Sequence, residues 1–205
     1  YSTITIGKYA FAETSSLTGY SFERSYSVIS EGLFENSGLD NAPDLSGCEI
    51  IGDYAFNGCD FDYPLVIPDS VISIGKGAFA NSCRDQWGRL SLTIGKNVRE
   101  IGDYAFYGCY GFSCTVTLPK TLESIGDYAF YNAGDFHDFT IPDNVKSIGK
   151  FSFYYVGFKV LTIGSGLTEI PEGAFKECFV EGVVLGDNIV SIGDDAFSDC
   201  MNLSG

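Results

Sequence analysis

Basic residues are scarce in this 205-residue chain: 12 Lys and Arg stand against 27 Asp and Glu, a formal charge of −15 with the single histidine neutral. Such a balance repels nucleic-acid phosphates and anionic lipid surfaces, so no nucleic-acid partner is expected. No run of 18 or more apolar residues is present, which argues against direct membrane insertion by this segment. No charged stretch precedes an apolar one at Tyr1, as a signal peptide would require. The chain begins and ends inside a repeat, and it is expected to be part of a longer protein. Cys-x-x-Cys, Gly-x-Ser-x-Gly and phosphate-loop motifs are all missing. A lone His137, even beside Asp135 and Asp138, offers little for a zinc site or for acid–base chemistry. The expectation is therefore a chain that is not an enzyme and holds no cofactor and no metal.

What the chain does have is apolar, aromatic and repetitive: 45% hydrophobic residues, with 25 Gly, 17 Phe and 13 Tyr. An Ile-Gly-x-x-Ala-Phe pattern recurs, marked by Phe11, Phe34, Phe56, Phe79, Phe106, Phe130, Phe153, Phe175 and Phe197, at successive gaps of 23, 22, 23, 27, 24, 23, 22 and 22 residues. An isoleucine lies five residues before each, from Ile6 to Ile192. Further upstream run a column of Val, Leu, Ile, Tyr and Cys (Tyr26, Cys48, Val71 through Ile189) and a strand-like pair of columns. The last of these holds Phe22, Ile67, Ile94, Leu118, Ile141, Ile163 and Leu185. Alternation with polar residues and a wealth of β-branched types predict one short strand per repeat, followed by Pro or Gly. Strands spaced near 23 residues apart cannot form hairpins and must stack in parallel, because a single repeat cannot bury its own apolar side. The expected fold is a solenoid, α/β-type or mostly β, of stacked ~23-residue coils. A parallel sheet should line one face, and short helical or 3₁₀ segments carrying Ala-Phe should line the other. Residues 1–205 should form a single domain of about nine repeats.

The run Leu65-Val66-Ile67-Pro68-Asp69-Ser70-Val71-Ile72-Ser73-Ile74-Gly75-Lys76-Gly77-Ala78-Phe79 resembles the leucine-rich repeats of BspA-like surface proteins, as does Phe139 through Phe153. That resemblance implies a leucine-rich repeat solenoid fold and a secreted or surface-attached bacterial or protozoan protein, some relatives of which bind host matrix proteins or mediate adhesion. It carries no catalytic residues over to this chain. Two departures stand out: Asp40, Asn41, Pro43 and Asp44 degrade the strand expected between Leu39 and Leu45, and the fourth gap is enlarged.

Five of the seven cysteines, Cys59, Cys83, Cys109, Cys178 and Cys200, fall three or four places after a marker Phe, where other repeats place Thr14, Ser37, Ala133 and Val156. They read as reduced thiols acting as small hydrophobes, with a vertical bridge such as Cys178–Cys200 left open. Aspartates recur in two columns, Asp53, Asp103, Asp127 and Asp194, and Asp69, Asp143 and Asp187. Lysines interrupt both columns, which favours a solvated, salt-bridged face over stacked calcium ligands. Tyrosine columns (Tyr54, Tyr104, Tyr128; Tyr107, Tyr131, Tyr154) are assigned to stability.

Two candidate binding surfaces remain. One is the outer strand face, a mild, flat row of Thr93, Thr117, Thr140 and Thr162 between Val66 and Val184. The other is the enlarged connection after Phe79, which adds about four residues and places Arg84, Trp87 and Arg89 together, the residue types found at interaction hot spots. Taken with what the BspA-like resemblance implies, they suggest a non-catalytic extracellular recognition or adhesion module. It would be a monomer, with a protein or glycan of a host or neighbouring cell as its partner. The alternative is a passive spacer displaying other domains, with a hydrolase fragment a distant third.

Overall fold

Each repeat closes one coil, and the coils pair backbone to backbone with their neighbours. The computed structural model describes residues 6–21, 26–85, 87–88 and 90–203. In chain order its strands are β1 (Val28–Ile29), β2 (Ile50–Ile51), β3 (Leu65–Val66), β4 (Ser73–Ile74), β5 (Leu92–Thr93), β6 (Glu100–Ile101) and β7 (Ser124–Ile125). They continue with β8 (Phe139–Ile141), β9 (Ser147–Ile148), β10 (Gly157–Ile163), β11 (Glu169–Ile170), β12 (Phe179–Val184) and β13 (Ser191–Ile192). Every pairing is parallel. The solenoid predicted from the repeat is therefore the fold of the molecule.

Two rows of strands run along it. The more continuous row is β1-β2-β4-β6-β7-β9, built on the isoleucine column, with β11-β13 pairing separately on the same column. The row predicted to be the sheet is the interrupted one: β3-β5 forms one piece and β8-β10-β12 another. Phe22 lies outside the described residues, and the degraded stretch between Leu39 and Leu45 forms no strand although both leucines are buried.

The expected helical or 3₁₀ segments are not there; consecutive turns take their place, and none of the described residues is helical. Two residues in each turn segment sit in the left-handed region, for example Tyr54 (φ 54°) and Gly58 (φ 72°), then Tyr104 (φ 58°) and Gly108 (φ 68°). Left-handed residues cannot propagate a right-handed helix. Backbone donors instead alternate. Ala55, Asn57 and Cys59 donate within their own coil to Gly52, Tyr54 and Phe56, whereas Tyr54, Phe56 and Gly58 donate to Lys76, Ala78 and Ala80 of the next. Every second N–H thus ties one coil to the following one, which a helix would forbid by using all of them internally.

The nine marker phenylalanines form one unbroken file. Successive rings stack 5.1–5.6 Å apart, within 12° of parallel. Those from Phe34 to Phe175 are wholly buried, and the isoleucine and leucine columns close around them. Glycine follows seven of the nine isoleucines, with Ser30 and Pro171 in the other two places, and from Gly52 to Gly193 these glycines lie close against the preceding coil: a Cβ on Gly102 would lie 2.8 Å from the Gly75 carbonyl carbon of the coil beneath. In the turn column, a Cβ on Gly77 would meet the Tyr54 ring at 2.7 Å, so glycine there makes room for the preceding coil's aromatic ring.

The file makes a graded prediction. Phe106→Ala removes a ring sandwiched on both sides and should cost about 3–5 kcal/mol. Phe197→Ala, whose ring is half-buried and stacks on Phe175, should cost distinctly less. Chemical denaturation followed by circular dichroism reads both, and equal losses would contradict the stacked file.

Candidate functional site

The strand face acquires relief where coil lengths differ. Leu90 pairs with Phe112, and Glu100 with Ser124, so ten residues on one coil face twelve on the next. Ser113 then pairs with Asp135, and Ser124 with Ser147, so eleven face twelve. A ladder cannot absorb such slips without losing register. The predicted strand through Val116 and Leu118 is accordingly unpaired: among the described residues no backbone hydrogen bond joins 115–118 to either neighbouring coil.

A cleft of about 590 Å³ opens at this break. Thr117, Thr140 and Thr162 line it, the last two facing each other across the β8–β10 register. Thr93, on β5, lies outside it. Val116, Leu118 and Ile141 form its buried floor, and Lys120, Asp138, Asp143 and Asn144 its rim. The rim is braced: Ser165 donates to Asp143 Oδ1 through its backbone N–H (2.8 Å) and its hydroxyl (3.1 Å), holding that carboxyl below the usual carboxylate range. Asn144 Nδ2 donates to the Lys120 carbonyl. The cleft thus offers hydroxyls, apolar surface and main-chain groups without partners, a combination suited to gripping a chain.

The enlarged connection is divided by the structure. Arg84 pairs with Asp60 of the preceding coil at 3.6 Å. Trp87 does not fold over the core; it is 72% exposed, its backbone N–H donating to Asp85 Oδ1 at 3.1 Å. Trp87 lines a separate groove with Tyr110, Tyr155 and Phe179, which Arg84 does not reach. Arg89 lies outside the described residues.

Other marked residues have structural work. Asp53, Asp103 and Asp127 each accept the backbone N–H of the following coil, from Lys76, Asp127 and Lys150 at 2.8–2.9 Å, and Asp69 does the same for Lys96 at 2.9 Å. The acidic columns are coil-to-coil caps, a role their spacing of one repeat already encodes. Among the described residues no three His, Cys, Asp or Glu side chains converge as a metal-binding group. His137 occupies a left-handed turn (φ 54°), where its N–H donates to Asp135 Oδ1. The tyrosine columns stack coil on coil, Tyr107–Tyr131–Tyr154 at 4.9 and 4.5 Å.

These features decide the family. A BspA-type leucine-rich repeat model matches residues 1–86 and 89–204 in six copies. The chain belongs to the BspA-type leucine-rich repeat family. Among solved structures it is similar to a leucine-rich repeat protein from Bacteroides ovatus ATCC 8483, at 22% identity over 99% of this chain and 70% of the other, with a TM-score of 0.51. A leucine-rich cell surface protein from Faecalibacterium prausnitzii A2-165 aligns at 19% identity over 90% of this chain and 70% of the other, with a TM-score of 0.37. No curated protein matches the chain. The first likeness is one of fold, and among the described residues no helix is long and apolar enough to cross a membrane.

The cysteine slot of this BspA-type chain is more than small. Cys59, Cys109, Cys178 and Cys200 donate their thiols to the carbonyl of the marker Phe one coil back, at 3.0–3.2 Å, and Ser82 does so with its hydroxyl. Burial pushes the Cys59 thiol up to about 11. The neighbouring Cys178 thiol brings the Cys200 thiol down to about 7. Iodoacetamide should therefore label Cys200 first, its rate rising as pH passes about 7, while Cys59 and Cys178 stay protected until the chain unfolds. Peptide mapping across pH reads this; a Cys200 midpoint at the ordinary thiol value of about 8.5 would remove the influence of Cys178 from the account.

Proposed function

We propose that this chain is a non-catalytic extracellular recognition module, acting as a monomer, that holds an extended segment of a host or neighbouring-cell protein on its strand face. The observation that carries the reading is the cleft lined by Thr117, Thr140 and Thr162 beside the unpaired main chain of 115–118. Unpaired N–H and C=O groups next to an exposed strand edge can accept a further extended strand, with alternate side chains of the guest falling on the apolar floor. Threonine hydroxyls on neighbouring coils add contacts along the same direction. Membership of the BspA-type family supports placing the module at a cell surface. The acidic surface supports a protein partner over phosphate-bearing ones. A spacer would need only the stacked file and would leave the cleft unused.

The test is a peptide array tiling purified extracellular-matrix proteins, probed with the whole chain and with Thr117→Lys and Thr140→Lys. Both threonines are exposed, so both variants should keep the parent's thermal transition. Saturable capture of particular segments, weakened about tenfold or more by either lysine, is the expected result. Background binding throughout would favour the spacer, and capture indifferent to both substitutions would place the partner elsewhere on the solenoid.

A further inference from the structure

The enlarged connection and the coils beyond it build a second recess, of about 470 Å³, that the strand-face reading does not use. Its lining includes four aromatic rings on four coils: Trp87, Tyr110, Tyr155 and Phe179. They are 72%, 44%, 43% and 36% exposed, in contrast to the buried phenylalanine file. Tyr155 and Phe179 meet edge to face with centroids 5.4 Å apart, which fixes one end of the array. The coil between Tyr110 and Tyr155 contributes Asn132 and Asp135, and Ser113 lies beside them. From the coil of Trp87 to that of Phe179 is four coil steps, about 19 Å at the usual inter-strand spacing.

Coil-to-coil pairing runs along the backbone under this groove. Leu90 pairs with Phe112, then Ser113 with Asp135, Asp135 with Gly157 and Phe179 with Met201, and β10 joins β12 in the same column. Among the described residues these pairings leave no run of unpaired strand like 115–118, so the groove is less suited than the cleft to adding a guest strand. What the groove presents is a line of π faces and ring edges interleaved with an amide, a carboxylate and a hydroxyl. Pyranose rings suit that arrangement. Their C–H faces lie against aromatic rings, their hydroxyls need both donors and acceptors at the side, and one sugar ring is close to one coil step in length. Among the described lining residues Asp135 is the one charged side chain, in a chain that is acidic throughout, so sulfated or uronic-acid polymers are repelled.

We propose that the groove bounded by Trp87, Tyr110, Tyr155 and Phe179 is a binding site for a neutral, extended oligosaccharide, with Asn132 and Asp135 bonding its hydroxyls. The site shares no residue with the threonine cleft, and either can stand without the other.

Trp87 is the only tryptophan in the chain, so its emission reports on this groove alone. The whole chain is titrated with cellohexaose and with β-1,4-mannohexaose, following tryptophan emission and heat, against a heparin-derived hexasaccharide as the anionic control. The expected result is a saturable blue shift with at least one neutral hexasaccharide and none with the anionic one. Tyr110→Ala or Tyr155→Ala, which keep the reporter, should weaken binding about tenfold, and Thr140→Lys should leave it unchanged. Trp87→Ala, in an exposed loop, is read by calorimetry and should also weaken it, so the test does not hang on the folding of the tyrosine variants. No saturable response to either neutral sugar at millimolar concentration would overturn the proposal. So would a preference for the anionic sugar, or affinity unaltered by Tyr155→Ala and Trp87→Ala in folded protein. Sugar binding without peptide capture, or the reverse, separates this site from the strand-face one.

Discussion

The contact of one coil with the next is the constraint on which the rest of this molecule depends. A single coil is one residue layer thick and cannot shield its phenylalanine from water; two coils can, provided their rings lie flat on each other at 5.1–5.6 Å. That spacing dictates much else. Each turn must send alternate N–H groups onward instead of inward, which requires left-handed residues twice per coil. The glycines that follow Ile51, Ile74, Ile101, Ile125, Ile148 and Ile192 have no space for a Cβ. Small side chains fill the slot under the phenylalanines; five of them, Cys or Ser, donate to the carbonyls of Phe34, Phe56, Phe79, Phe153 and Phe175, while Ala133 and Val156 fill it by size alone. The aspartate columns satisfy donors on the outside of the same interface.

A perfectly regular stack would be a featureless rod. The threonine cleft and the aromatic groove lie where regularity fails. The cleft opens because neighbouring coils differ by one or two residues between two otherwise matched pairings, so the ladder drops out at 115–118 while the phenylalanine file continues beneath it. The aromatic groove begins at the coil that carries the enlarged connection. Stability and surface relief are thus divided between different parts of each coil. The file and the isoleucine row absorb no change of length, and the connections between them absorb all of it.

Much of this was legible in one dimension. Hydrophobic columns at a period near 23 have no other economical explanation than stacking, and the tight columns at Ile, Gly and Phe mark the positions where stacking is closest. One expectation read from the same residues was wrong in detail. Ala-Phe was expected in a helical piece, yet the alternation of Tyr and Gly in one column, Gly32, Tyr54, Gly77 and Tyr104, already signals a positive φ, since glycine is the usual tenant there. The isoleucine row is the more continuous ladder, because its distance to the phenylalanine is constant while the upstream strand floats on a connection of variable length. Trp87 was grouped with its sequence neighbour Arg84, whereas its companions in space come from three other coils.

The repeat alone determined that the chain is a parallel solenoid with one aromatic file, because burial of apolar side chains is a property of composition and period. Which residues stand side by side on the surface was decided by the tertiary structure. Adjacency there is set by coil register, and register depends on small differences in coil length that add up from one pairing to the next. A column in a sequence alignment assumes equal coils. The meeting of Thr117, Thr140 and Thr162 without Thr93, and of Trp87 with Tyr110, Tyr155 and Phe179, exists only because the coils are unequal.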